Sequence, residues 1–164
     1  MALVLGVRPD LNWRDLQYLT IETAVPVNLD QDWVETYIGK KYSHTYAYGK
    51  MDAYALVTKA KDWKSVKPQA WYTSPWQYVR HDIPQGDKGL ASHFTVTPEM
   101  IKEANIARLE HVQVTMNVDH TRRGDISVDL ISPKGIYSHL SVTRHADESP
   151  NGYDSWTFMS VAHW

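Results

Sequence analysis

The chain has 164 residues, enough for one ordinary domain or for two small or incomplete ones. Its hydrophobic share of 43% and charged share of 22% are those of a soluble globular protein. A formal net charge of −2 argues against a basic face for nucleic acid, and the lack of cysteine excludes thiol catalysis and a Cys-based zinc site.

The opening segment, MALVLGV, is apolar on every side, as a helix enclosed by a larger body would be. It is too short for a signal peptide or a membrane span. Two or three further helices in the first seventy residues could not easily enclose it. We therefore expect this segment to have been cut from something bigger.

Capping residues predict the first long helix. Asn12 is a suitable N-cap, Asp15 follows three residues later, and Leu11 and Leu16 occupy the two positions of a hydrophobic staple. A buried stripe at helical spacing is predicted for Leu16, Leu19 and Thr23.

Residues 28–36 are polar and predict a surface loop. A second helix is predicted to start near Asp52, because apolar residues then recur at helical spacing. These residues are Ala53, Leu56, Val57 and Ala60.

Beyond Lys67 and Pro68 the pattern changes to alternation, which is typical of strands with one buried face. The predicted strands are 76–83, 92–97, 112–118, 126–130, 136–142 and 155–162. Several short strands separated by Pro/Gly turns predict an antiparallel sandwich or jelly roll. The fold is therefore predicted as a helical piece joined to a β-sandwich, with the seam between residues 63 and 75.

The tripeptide Arg123-Gly124-Asp125 lies between two of these alternating runs. A tight hairpin turn explains the glycine, which reaches positive φ at little cost. A cell-adhesion loop is the alternative, but a match of three residues is common by chance.

Two long runs resemble one protein family. ANIARLEHVQVTMNVDHTRRGDISVDLISPKG and YDSWTFMSVAHW resemble the P domain (Homo B) of the kexin/furin proprotein convertases. Two earlier runs resemble the end of the subtilisin-like catalytic domain of the same enzymes: PDLNWRDLQYLTIETAVPVN and IGKKYSHTYAYGKMDAYALVTKAKDW. The resemblance covers essentially the whole chain and is greater to fungal kexins than to animal furins.

The resemblance implies a division into residues 1–66, a C-terminal remnant of the catalytic domain, and residues 67–164, a P domain truncated at its C-terminus. It implies a calcium-dependent serine endoprotease that processes precursor proteins after Lys-Arg or Arg-Arg in the late Golgi lumen, membrane-anchored in the parent protein. The catalytic Ser, His and Asp, the oxyanion Asn and the calcium sites would lie upstream. No catalytic, cofactor-binding or metal-binding residue is therefore assigned here, and the chain alone is predicted to be inactive.

One position departs from the family pattern. Ala47 stands in the sequence Tyr-x-Tyr-Gly where relatives often have glycine. If the backbone there requires positive φ, Ala47 would strain it.

Two groups of residues are candidates for chemistry carried by the chain itself. The neighbours Ser43-His44 and Ser138-His139 are not predicted to form nucleophile–base pairs, because adjacent side chains of a strand face opposite ways. Four histidines on predicted strands could converge if those strands were neighbours, but the spacing matches no metal motif. They are His111, His120, His139 and His145.

An aromatic cluster flanks the predicted seam: Trp71, Tyr72, Trp76 and Tyr78. We predict that these rings attach the P domain to its own catalytic domain, its expected partner, since amphipathic rings suit such interfaces. A non-catalytic binding or adhesion module, using this cluster or the Arg-Gly-Asp turn, is the alternative function.

Overall fold

The computed structural model describes all residues from 1 to 164, which form two compact units. One unit combines residues 1–66 with residues 109–164, and the other consists of residues 67–108. The division into domains at residues 66 and 67 stays a prediction, because packing does not by itself assign the ancestry of a segment.

The chain contains four short α-helices. They are α1 (Ala2–Val7), α2 (Trp13–Thr23), α3 (Ala53–Lys61) and α4 (Pro98–Glu103). The predicted cap at Asn12 and the predicted helix start near Asp52 are confirmed. The Asn12 side chain accepts hydrogen bonds from the Arg14 and Asp15 amides, and the Asp15 carboxylate accepts from the Asn12 amide, which completes a capping box. The Asp52 side chain likewise accepts from the Ala55 amide at the start of α3.

The opening helix, α1, is not enclosed within this chain. Val4 is fully buried, but Leu3, Leu5 and Val7 remain exposed. Val4 packs with Leu56 of α3, so one face of α1 is covered and the others are not. This agrees with the expectation that the helices of this chain cannot enclose the segment. That the segment belongs to a larger body stays a prediction.

Six strands form three antiparallel pairs. They are β1 (Val34–Glu35), β2 (Lys41–Tyr42), β3 (Val112–Val118), β4 (Val128–Ile131), β5 (Tyr137–Ser141) and β6 (Tyr153–Ser160). The pairs are β1 with β2, β3 with β6, and β4 with β5. The predicted class, mixed α and β with antiparallel sheets, is confirmed, and alternate residues of β3 are half-buried as expected.

Three predictions about the strands are wrong. Residues 76–83 and 92–97 contain no strand, and the following segment is α4, which begins with Thr97 as N-cap and Pro98 in its first turn. Residues 112–118 and 126–131 do not form a hairpin, since β3 pairs with β6 and β4 pairs with β5. Within the segment predicted as a loop, Val34 and Glu35 form β1.

Two buried clusters include residues of α2. One joins the three N-terminal helices through Val4, Leu11, Leu19, Leu56 and Ala60. The other joins α2 to the last residues of the chain through Tyr18, Ile21, Ala24, Tyr42, Tyr48, Ala162 and Trp164. Helix α2 therefore connects the N-terminal helices to the C-terminal strands.

Candidate functional site

A buried ion pair links helix α2 to the segment that precedes β3. The Arg14 guanidinium donates to both carboxylate oxygens of Glu110, with Nε lying 2.9 Å from Oε2. The two side chains are only 11% and 10% exposed. The Tyr18 hydroxyl donates to Glu110 Oε1 at 3.0 Å. The hydrogen bonds from Arg14, opposed by burial, lower the pKa of Glu110, so the carboxylate stays charged at neutral pH.

The same helix contacts the end of the chain. The rings of Tyr18 and Trp164 meet edge to face with centroids 4.5 Å apart, a favourable geometry for aromatic pairs. The Tyr48 hydroxyl donates to the Val161 carbonyl at 2.8 Å. We call Arg14, Tyr18, Glu110 and Trp164 the interlock. It contains no activated nucleophile, and its role is to hold residues 1–66 against residues 109–164.

Asp15 fixes the start of α2 to the residues that follow α3. Its side chain is fully buried. It accepts hydrogen bonds from the Val66 amide at 2.8 Å, the Trp63 indole at 3.0 Å and the Asn12 amide at 3.1 Å. Burial raises the pKa of this carboxyl, but these donors together outweigh burial and the pKa is lowered. Asp15 is therefore an ionised structural residue and not a general acid.

The Arg-Gly-Asp tripeptide forms one turn of 3₁₀-helix, Arg123–Asp125. Gly124 is buried and its φ is not positive. A Cβ at this position would lie 2.1 Å from the Arg144 carbonyl oxygen and 2.5 Å from that of Asp147. The glycine is required because another backbone segment approaches closely, and the explanation by a positive-φ hairpin turn is wrong.

A charged network fastens this turn to residues 144–149, which we call the 144–149 loop. The Asp147 carboxylate accepts from Arg123 Nε at 2.8 Å and Nη2 at 3.0 Å, and from Arg144 Nη2 at 3.1 Å. These hydrogen bonds, that from Arg123 foremost, lower the pKa of Asp147 to about 2. Arg144 also donates to the Tyr153 hydroxyl at 2.9 Å.

This arrangement does not favour the adhesion alternative. An adhesion tripeptide must offer its Arg and Asp side chains to a receptor. Arg123 is instead bound in a bidentate pair to Asp147, and Gly124 is buried. Of the three residues, Asp125 is the most open to solvent, and its carboxylate lies 3.8 Å from Arg122.

The candidate histidines have separate environments. His111 lies beside Gln17 and Trp13, His120 accepts from the Arg122 amide, and His139 pairs with Asp129 at 2.6 Å. No group of three or more His, Cys, Asp or Glu is placed to hold a metal ion. The four histidines therefore do not converge on a metal site.

The two Ser-His neighbours do not show nucleophile–base geometry. Ser43 Oγ accepts from the Thr45 amide, and Ser138 Oγ shares a hydrogen bond of 2.7 Å with Ser160. His44 instead stacks near His139, with ring centroids 4.4 Å apart.

The predicted aromatic cluster does not supply the interlock. Trp71, Trp76 and Tyr78 each expose more than half of their surface, and Tyr72 stacks on Phe94 within residues 67–108. The rings that join the two halves of the larger unit are those of Tyr18, Tyr48 and Trp164. Sequence reasoning missed these residues, as it missed Glu110 and Asp147, because nothing local in a sequence marks partners that lie far apart along the chain.

Comparison with known proteins identifies sequences that are similar to this chain. Residues 109–164 match the family model described as "Proprotein convertase P-domain". Kexin from Saccharomyces cerevisiae is 46% identical over 165 residues, which are 99% of this chain and 20% of that protein. Furin from Bos taurus is 38% identical over 165 residues, which are all of this chain and 20% of that protein. The resemblance to the kexin/furin-type proprotein convertases is confirmed.

The P-domain match covers the segment that carries Glu110, the Arg-Gly-Asp turn and Trp164. The chain spans about a fifth of the length of the curated convertases that it matches. Among solved structures, a serine protease of Aeromonas sobria superposes with a TM-score of 0.73 at 20% identity, covering 98% of this chain and 32% of that chain. At that identity the likeness concerns the fold alone. No helix here is both long and apolar enough to cross a bilayer.

Proposed function

We propose that this chain is the structural part of a kexin-like serine endoprotease, in which the P-domain segment stabilises the catalytic domain. The interlock is the observation that carries the proposal. Its buried Arg14–Glu110 pair ties a helix that resembles the end of the catalytic domain to the P-domain segment. The enzyme as a whole would cleave precursor proteins after Lys-Arg or Arg-Arg.

The chemistry of the parent would be acyl transfer. A serine would attack the scissile carbonyl, a histidine would take its proton, an aspartate would orient the histidine, and an oxyanion donor would stabilise the intermediate. We assign none of these roles to a residue of this chain. Calcium, on which the parent enzyme would depend, would bind in the upstream part of the parent, as the resemblance to the convertases implies.

The setting of the parent follows from the same proposal. Its partners would be its own catalytic domain and precursor proteins with dibasic sites, and a net charge of −2 gives no support for nucleic acid as a partner. The parent would act in the lumen of the late Golgi and be anchored to the membrane by segments outside this chain.

The structural role can be tested at Glu110. Removing one partner of a buried ion pair leaves the other charge unpaired and costs about 3–5 kcal/mol. We therefore expect Glu110→Ala to lower the free energy of unfolding of the 164-residue chain by about 3 kcal/mol, with Arg14→Ala non-additive in a double-mutant cycle. The matched control is Glu22→Ala, because the Lys59–Glu22 pair is 43% and 24% exposed and such pairs contribute about 1 kcal/mol or less.

In the full-length enzyme, Glu110→Ala should reduce the yield of active protease and leave the KM for a Lys-Arg peptide unchanged. A change in KM at normal yield would place Glu110 in substrate binding and contradict the proposal. The 164-residue chain itself should not cleave a fluorogenic Lys-Arg peptide. Turnover that persists through purification would show that it has catalytic groups of its own.

A further inference from the structure

The turn that contains Gly124 also contains a pair of basic residues, Arg122 and Arg123. A paired-basic sequence is the substrate that the proposed protease would recognise. The chain thus carries, within its own P-domain segment, a sequence of the class that its parent would cleave. The bond in question joins Arg123 to Gly124.

The backbone around this bond is closed. The Gly124 amide donates to the Asp147 carbonyl at 3.0 Å, and the Arg123 carbonyl accepts from the Ile126 amide at 3.1 Å. The Arg144 amide donates to the Gly124 carbonyl at 2.7 Å. A protease that binds its substrate as an added strand needs these backbone groups free and the segment extended. The 3₁₀ turn offers neither.

The Arg123 side chain, on the acyl side of the bond, is also held by hydrogen bonds. Arg123 makes two hydrogen bonds to Asp147, and Arg144 donates to the same carboxylate. A protease pocket for Arg123 would have to replace this bidentate pair. Arg122 donates to the His145 carbonyl at 2.8 Å, and its ion pair with Glu148 contributes little, because Glu148 is 78% exposed.

We propose that Arg123–Gly124 is a latent cleavage site for a paired-basic endoprotease, held closed by the 144–149 loop. Local opening of that loop frees both the scissile peptide and the Arg123 side chain. Hydrolysis then breaks the bond between the Arg123 carbonyl carbon and the Gly124 nitrogen; water supplies hydroxyl to the carbon and a proton to the nitrogen. The class of protease that would cleave the site rests on the proposed function. The hydrogen bonds that keep the site closed are independent of that proposal.

Cleavage before Gly124 would separate the interlock residue Glu110 from Trp164. Both ends would still contact α2, but the 3₁₀ turn would be cut, with Arg123 left on the β3 side and Gly124 on the β4 side. Cleavage at this site would therefore favour the degradation of a P domain whose 144–149 loop has opened.

The test measures initial rates of cleavage of the folded 164-residue chain, with each product identified by mass. One arm uses trypsin, which cuts after any basic residue, and the other uses a purified protease specific for paired basic residues. Proteolysis of folded chains follows the population of the open form. We expect the wild-type bond to resist both proteases until urea is added.

Asp147→Asn weakens the bidentate pair and should raise the native-state rate at Arg123–Gly124 about tenfold or more in both arms. Glu148→Gln is the matched control in the same loop and should leave the rate within about twofold. Arg144→Gln is a second opening variant and should act in the same direction as Asp147→Asn. The Lys41–Tyr42 bond, after the pair Lys40-Lys41, serves as the internal reference.

A selective increase at Arg123–Gly124 supports the proposal. The proposal is overturned if neither opening variant raises the cleavage rate at Arg123–Gly124. It is also overturned if both variants raise the cleavage rate at Lys41–Tyr42 equally, because such a rise reports global unfolding. If trypsin cuts the opened site but the paired-basic protease does not, the assignment of the protease class is overturned. Failure of the full-length enzyme to cleave a Lys-Arg peptide would count against the proposed function instead.

Discussion

Ala47 occupies a backbone conformation that favours glycine. Its φ is +50°, in the left-handed region, and it closes a tight turn in which the Ser43 amide donates to its carbonyl at 2.8 Å. An L-residue with a Cβ in this region is strained by roughly 1–2 kcal/mol. The backbone at residue 47 therefore has the positive φ under which the sequence predicts that Ala47 is strained. We predict that Ala47→Gly stabilises the chain.

The size of the effect follows from two opposing contributions. Relief of the strain contributes roughly 1–2 kcal/mol, and the greater freedom of glycine in the unfolded chain costs about 0.5–1 kcal/mol. The Ala47 methyl is exposed, so its loss removes little buried surface. The two ranges leave a net gain of about 0–1.5 kcal/mol, and its midpoint of about 0.8 kcal/mol corresponds to a rise in Tm of roughly 2–3 °C for a chain of this length.

The measurement is urea unfolding followed by tryptophan fluorescence, with the Tm from calorimetry. Ala55→Gly is the matched control, because residue 55 lies in the right-handed backbone of α3 and should lose about 0.5–1 kcal/mol. The two substitutions remove the same methyl group and should change stability in opposite directions. A loss of stability in both would refute the assignment of strain at Ala47.

Three other substitutions follow from the described contacts. Asp15→Ala leaves three part-buried donors without their acceptor and should cost about 3 kcal/mol in urea unfolding, against about 1 kcal/mol for the single cap lost in Asp52→Ala. His163 is buried with no partner for either ring nitrogen, and burial lowers its pKa, so the unfolded state binds a proton more readily. Stability should therefore be full above pH 6.5 and fall by at most about 1.4 kcal/mol per unit below it, a slope that His163→Phe should remove; an unchanged slope would contradict this reasoning. Gly152→Ala places a Cβ 1.9 Å from a backbone oxygen and should prevent normal folding as seen by circular dichroism, whereas Gly135→Ala, which meets nothing within 4 Å, should fold.

Local signals in the sequence predicted local structure well. The cap at Asn12 is confirmed because a cap depends only on the next three residues, and the helix predicted to start near Asp52 begins at Ala53. The alternation in residues 112–118 also corresponds to a strand, since one half-buried face imposes a period of two. The resemblance to the convertases depended on longer runs and is confirmed by the comparisons.

The predictions that failed concern which strands and which charged residues pair with one another. Residues 76–83 and 92–97 alternate as a strand would, but a strand also needs a neighbour, and the sequence does not specify one. A helix signal was present beside them, since Thr97 followed by Pro98 is a recognised start. The partners of Glu110 and Asp147 could not be predicted, because a charged residue carries no local sign of the partner that it meets after folding.

The contact between Tyr18 and Trp164 determines when the larger unit can fold. The second buried cluster includes residues from both ends of the chain, so it is incomplete until residue 164 has been synthesised. At about 5–20 residues per second, synthesis of the 141 residues from 24 to 164 takes roughly 7–28 s, during which the apolar face of α2 has no permanent cover. Such distant contacts are associated with slow folding. Until the cluster is complete, this exposed apolar face favours aggregation of the nascent chain or its binding by chaperones.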